Sequence, residues 1–510
     1  MKNKERKGRG RKETERSSSQ GSQGKAEGTV SQESQGKAEG SSIQGKRGGT
    51  ENKETCVSPL ATEKISKLLG QFALPSIVAM LVSAIYNIVD QFFIGHSVGP
   101  LGNAATNIAF PLSMMCTSLA LLFGIGGASN FNLVMGAGKR EKAPYFIGNA
   151  ASMLLGSGTV LFLAAEMFLH PMLQLFGSPA DVLPYAEEYV KITAIGFPFL
   201  ILTTGGGHLM RADGSPKMAM ICNLSGAVIN TFLDALFVMG FGWGMAGAAA
   251  ATVIGQVFSG ILVIRYLMRY KTVALEKKHF LPQWTYLGKI MALGAANSFN
   301  QIAMMVVQIS LNNLLKFYGA QSVYGEAVPI ACAGIVMKVN QVFFSIIIGI
   351  SQGTQPIEGY NYGAGQYARV RETYGLAVKA GMALSACAFL IFQLFPRQLL
   401  SLFGDGSEPY YQFGISYFRI FVAGTLINFL QPLSSSFFTS IGKAYKGMFL
   451  SLTRQILFLL PLLVVFPRVM GIEGILYAGP VADGLAFAAA ILMVRSEFRK
   501  MKKLERKEEQ

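Results

Sequence analysis

The chain has 510 residues, 51% of them hydrophobic and 15% charged, and a formal net charge of +16. A soluble domain carries about 25% charged residues; here the charge is segregated, leaving many apolar runs of the roughly 20 residues needed to cross about 30 Å of hydrocarbon. That excludes a soluble globular protein. The basic charge lies in the first 62 residues and in alternate loops, which argues against nucleic-acid binding.

Residues 1–62 are rich in Lys, Arg, Glu, Ser, Gln and Gly and nearly empty of aliphatics, and SQGKAEG at 22–28 recurs at 34–40. Such a segment buries too little apolar surface to offset its ordering entropy, so it reads as a disordered basic cytoplasmic tail. It has no apolar core of a signal peptide. Twelve apolar spans follow, near 67–95, 103–135, 144–169, 186–209, 217–240, 246–269, 286–316, 324–354, 371–395, 411–438, 446–467 and 474–496. Lys and Arg collect in every second loop (Lys139, Arg140 and Lys142; Arg211 and Lys217; Lys271, Lys277 and Lys278; Arg369 and Arg371; Lys443 and Lys446), while the intervening loops hold almost none. The positive-inside rule then places both termini in the cytoplasm, as an even number of spans requires.

The spans form a repeat. VMGAGK at 134–139 matches NYGAGQ at 361–366, Tyr189-Val-Lys-Ile matches Tyr417-Phe-Arg-Ile ahead of Gly196 and Gly424, and Gly244-Met-Ala-Gly matches Gly471-Ile-Glu-Gly, all at an offset of about 227 residues. Six spans separate equivalent points, so the halves share one topology as parallel repeats about an axis along the membrane normal. The expected organisation is a first lobe at 63–270, a cytoplasmic linker at 271–285, a second lobe at 286–496 and a cytoplasmic C-terminal tail at 497–510. Two equivalent bundles enclose a cleft, and rocking them exposes it to either side.

Ionisable residues inside spans are costly and therefore mark function. Asp90 in the first span and Asp234 in the fifth each lie five or six residues, roughly 8 Å, below the outer boundary. Asn230 shares the face of Asp234 one turn deeper, Thr252 reaches that depth from the sixth span, and Tyr86 shares the face of Asp90. Two carboxylates at one depth in low dielectric suit a proton carrier, and the same oxygens suit Na⁺ as a hard cation. Pro75 permits a kink in the helix that bears Asp90. The second half offers Lys338, Arg454 and Asp483: Lys338 either pairs with an acid across the bundle or projects into the cleft, and Arg454 and Asp483 can pair with each other. Asp483 aligns with Gln256, so the halves differ in charge at that position.

The five cysteines and four histidines are scattered singly, without metal-ligand or redox spacing, and no catalytic triad, P-loop or HExxH occurs. Neither an enzyme nor a cofactor is therefore expected.

FALPSIVAMLVSAIYNIVDQFFIG at 72–95, NTFLD at 230–234 and QGTQPIEGYNYGAG at 352–365 resemble the MATE (multidrug and toxic compound extrusion) family, most of all its bacterial drug-efflux branch, from about residue 64 to 495. The resemblance implies an all-α fold with two six-helix lobes in a V. It also implies antiport of amphiphilic, typically cationic, organic compounds against inward H⁺ or Na⁺ across the bacterial inner membrane by a monomer. Asp90, Asn230, Asp234 and Thr252 match the family's first-lobe cation site, with Tyr86 and Pro75 as associated positions. The family's other sodium arrangement needs acids in spans seven and ten, which here have none in their interiors. A lipid-linked sugar flippase of the same superfamily is the alternative, but it calls for a basic cleft that the first half lacks. A polytopic membrane enzyme is more remote, for want of a polar catalytic cluster.

Overall fold

The computed structural model describes residues 58–176, 178–402 and 408–508, so the tail expected to be disordered lies, up to residue 57, outside the described residues. Those residues form helices and no strand. Twelve helices are long and apolar enough to cross a membrane: α1 Ile65–Ser97, α2 Leu101–Gly136, α3 Arg140–Met167, α4 Leu183–Ala212, α5 Pro216–Gly240, α6 Gly244–Leu267, α7 Trp284–Ala320, α8 Val328–Gly363, α9 Tyr367–Leu394, α10 Glu408–Ser440, α11 Ala444–Met470 and α12 Ile472–Lys507. Proline near the first turn starts several of them, since its missing N–H is unpaired there anyway.

Two helices outrun the expected spans. Helix α8 continues from residue 354 to Gly363. Hydropathy marks where lipid ends rather than where a helix stops, and the polar segment Ser351–Gly359 is buried among protein helices. Helix α12 runs on through the expected C-terminal tail because Glu497, fully buried, accepts hydrogen bonds from Lys443 and, at 2.5 Å, Lys446, while Arg371 Nη2 meets Glu505 Oε2 at 2.8 Å.

The buried apolar residues form two main cores. One runs from Ile94 to Ile290 and involves α1–α6 with the foot of α7; the other runs from Val307 to Met501 and serves α7–α12. The two bundles meet along α1 with α8 and α2 with α7. Glycines make these contacts backbone to backbone: a Cβ on Gly294 would stand 1.8 Å from the Leu122 carbonyl oxygen, one on Gly126 2.0 Å from that of Ile290, and ones on Gly349 and Gly353 within 2.6 Å of the Ile77 and Ala73 backbones. All these approaches lie in the helix halves nearest the linker between α6 and α7.

The repeat motif itself forms part of this seam. A Cβ on Gly136 would meet the Tyr360 carbonyl oxygen and Ala364 N, and one on Gly363 would meet the Leu133 carbonyl oxygen and Ala137 N. These two contacts exchange under the repeat offset, so the GAG ends of α2 and α8 face each other across a local two-fold. Inside each lobe a second equivalence appears. Gly196 leaves room for the Gln256 side chain and Gly424 for the Asp483 side chain, at the positions the repeat aligns.

The linker is docked rather than free. Asn149 Nδ2 donates to the His279 carbonyl, Ser152 Oγ to that of Phe280, and Gln283 N–H to Asn149 Oδ1. Asp213, in the turn after α4, accepts from the Lys271 and Thr272 N–H groups (2.9 and 2.8 Å), from the Thr272 hydroxyl and from the Tyr266 hydroxyl at 2.6 Å. Hydrogen bonds to a charged acceptor contribute about 1.5–3 kcal/mol each, though not additively. Asp213→Ala should therefore cost about 3 kcal/mol of stability, read as a lowered thermal midpoint of the purified protein, and Asp213→Asn should recover part of the loss through its remaining carbonyl acceptor.

Candidate functional site

The candidate site lies where α1, α5 and α6 pack together. Asp90 on α1 is 9% exposed, and Asp234, the last residue of regular helix in α5, is fully buried. Immediately after Asp234 the backbone widens into a π-helical segment, Ala235–Gly240, a distortion common at functional sites because it frees backbone groups and re-aims side chains. Asn230, one turn earlier, donates through Nδ2 to Thr252 Oγ1 of α6 at 3.2 Å, and both residues are buried. Asp90 and Asp234 lie within electrostatic reach of each other, and the Tyr86 and Tyr189 phenols converge on Thr252 beside them.

The carboxylate and amide oxygens of this patch lack donors. Asp90 Oδ1, both Asp234 oxygens and Asn230 Oδ1 are buried without a hydrogen-bond partner among the described residues. The Asn230 amide sits beside Asp234 but is aimed at Thr252. Buried polar groups are normally paired, and unpaired carboxylates in an apolar bundle are costly. A set of hard oxygens without donors fits a proton or a hard monovalent cation as cargo. Among the described residues no group of three or more His, Cys, Asp and Glu could hold a metal ion. A cavity of about 30 Å³, lined by Ser113, Tyr189, Thr193, Thr252 and Gln256 among others, adjoins the patch. It is polar and large enough for a water, and it leads from Thr252 towards exposed Ser113 on α2.

The sequence-derived residues therefore separate into two groups. Asp90, Asn230, Asp234, Thr252 and Tyr86 come together. Pro75 lies elsewhere on α1, between Ala73 and Ile77, the two residues that meet Gly353 and Gly349 of α8. Tyr189 escaped the sequence reading although it begins the repeat match with Tyr417, because a tyrosine in an amphipathic stretch carries no sign of facing a carboxylate 99 residues away. Glu358 was likewise placed outside the spans; it is buried in α8 and accepts from Ser440 Oγ at 2.9 Å.

In the second half Arg454 Nε donates to Asp483 Oδ1 at 2.5 Å, with Asp483 almost wholly buried. Lys338 is not part of this pair; it is exposed and makes no ion pair among the described residues. Removing one partner of a buried pair costs about 3–5 kcal/mol, whereas replacing both by apolar residues is often neutral. Asp483→Ala should thus lower the thermal midpoint severely, and Arg454→Met combined with Asp483→Leu should restore it.

The family profile described as MatE matches residues 75–236 and 302–465, two blocks whose starts are separated by the spacing of the internal repeat. The chain belongs to the MATE family. The multidrug export protein MepA of Staphylococcus aureus (strain N315) is 24% identical over 431 residues, 84% of this chain and 93% of the relative. Among solved structures, the MATE multidrug transporter DinF-BH in complex with R6G is 33% identical, with a TM-score of 0.79 over 86% of this chain and 96% of that one. An outward-facing multidrug resistance MATE transporter of the MOP superfamily shares the fold, with a TM-score of 0.80 at 21% identity. Two six-helix bundles closed together at the linker end are thus the MATE fold in a multi-pass membrane protein.

Proposed function

We propose that this MATE protein is a secondary active efflux antiporter, exporting amphiphilic organic compounds, cationic ones among them, in exchange for inward H⁺ or Na⁺. The observation that carries the reading is the pair of buried, unpartnered carboxylates, Asp90 and Asp234, beside Asn230 and Thr252 in one lobe of a two-lobed bundle. Names of relatives that export multiple drugs support the substrate class. The Lys and Arg bias of the loops supports a cytoplasmic linker end and cytoplasmic termini in the bacterial inner membrane. Both lobes and the gap between them come from one chain, which supports a working monomer.

The mechanism follows from where the ion would bind. Helix α1 holds Asp90 near its far end and Pro75 at the seam with α8, so one helix connects the ion site to the interlobe contact. Neutralising the Asp90–Asp234 patch removes repulsion between like charges and the penalty of burying them. Loading the site therefore favours whichever packing of α1 buries it best, and releasing the ion reverses the preference. Ion and drug binding are coupled through that difference alone. For a substrate without net charge, one charge moving down 100 mV supplies about 2.3 kcal/mol, enough to sustain a gradient of roughly fifty-fold, whereas exchange for a monovalent cation moves no net charge and draws on the ion's concentration gradient alone.

Purified protein in lipid vesicles, loaded with a fluorescent rhodamine and given either a proton or a sodium gradient, tests this directly. Gradient-driven dye movement is expected for at least one ion. Dye movement indifferent to both gradients would rule the antiporter out, and a response to sodium alone would assign the site to Na⁺.

A further inference from the structure

The cleft-facing walls of the two lobes are unequal in charge. On α8, Lys338 lies eleven residues before Gly349, three helical turns and about 20° round the helix, so it occupies the face that meets Ile77 of α1 at the seam. It stands about 16 Å further from the linker end than Gly349, and among the described residues no ion pair joins it to α1 or α2. It is about ten residues below the far end of α8, too deep for a lysine to snorkel to the interface. At that height α1 presents Ile88, 39% exposed, flanked by exposed Ile85 and Asn87. Asp90 is thirteen residues beyond Ile77 and so turned about 140° away, into its own lobe. Helix α2 contains no Asp, Glu, Lys, Arg or His. On α7 the face that meets Leu122 at Gly294 continues outward as Gln301, Gln308 and Asn312, with Gln308 Nε2 donating to Asn312 Oδ1 at 3.1 Å. The second lobe thus presents one unpaired ammonium with amide donors at a similar depth on the neighbouring helix, opposite a wall of α1 and α2 that carries no charged partner for it.

An intramembrane cation without a counter-charge is costly and is retained where it meets something. Resting on the efflux reading above, we infer that Lys338 anchors an anionic group of the transported molecule, so that the preferred substrates are amphiphiles bearing a carboxylate, zwitterions included. The apolar body lies against α1, the carboxylate takes the ammonium of Lys338, and the amides of α7 hold its remaining oxygen lone pairs. A purely cationic amphiphile finds the same wall but is repelled at Lys338.

The test uses two dyes on one framework, a rhodamine ethyl ester and its free carboxylic acid, binding to the purified full-length protein as followed by fluorescence anisotropy. The wild type is expected to bind the acid about tenfold more tightly than the ester. Lys338→Gln should lose that preference while still binding the ester, which shows it to be folded, and Lys338→Arg should keep it. Equal affinity for the two dyes in the wild type, binding of neither, or parallel loss of both in Lys338→Gln would overturn the assignment. The efflux reading fails separately: its failure is the absence of ion-driven transport of either dye in vesicles, whatever the equilibrium preference.

Discussion

Asp90→Asn and Asp234→Asn should each collapse the ion-driven dye gradient, which at one ion per dye can match the imposed ion gradient, to near unity. The amide keeps the shape of the carboxylate but can neither ionise nor release a bound proton, and it neutralises one of the two charges available to Na⁺. Equilibrium binding of dye should survive, because neither carboxylate lies on the interlobe face. A second readout separates an ion site from a merely structural one. The Asp234 oxygens have no donors, and an amide at that position could donate to the unsatisfied Asn230 Oδ1, so Asp234→Asn should raise the thermal midpoint. A structural aspartate held by hydrogen bonds would behave in the opposite way. If both variants sustain the wild-type gradient, coupling resides elsewhere.

Cross-linking the seam should be as decisive. Ser118 Oγ on α2 and Ser298 Oγ on α7 are 2.6 Å apart, both buried, one turn from the Gly294–Leu122 contact. A disulfide needs Cβ atoms about 3.5–4.5 Å apart, which this spacing of γ atoms permits. In a protein carrying Ser118→Cys and Ser298→Cys, with Cys56→Ser and with Cys387→Ser to remove the one exposed thiol among the described residues, oxidation should abolish transport and reduction should restore it. Alternating access demands that a seam closed in one state open in the other. Full transport by the oxidised protein would mean that α2 and α7 stay together throughout the cycle.

Much of this molecule is legible without coordinates. Apolar runs in water-free surroundings have to be helices, since no other open backbone satisfies its own hydrogen bonds in lipid. That physics fixes the twelve spans, and the constant repeat offset fixes two lobes of like topology. Asp90, Asn230, Asp234 and Thr252 can be set at one depth from their numbers alone, because a straight helix converts residue number into height.

Height is only one coordinate, and the rest needed packing. Nothing in the local pattern says that Tyr189 turns towards Thr252, that Glu358 belongs to a helix continuing beyond its apolar stretch, or that Glu497 gathers Lys443 and Lys446 into the foot of α12. Hydropathy places Arg454, Asp483 and Lys338 alike within spans; the fold pairs the first two at 2.5 Å and leaves the third alone on the interlobe face. Burial in lipid and a duplicated chain leave few solutions other than a two-lobed, twelve-helix membrane protein with carboxylates at a shared depth. Which way each polar side chain faces follows from packing, because rotation about a helix axis is set by glycine contacts and neighbouring helices far away in sequence.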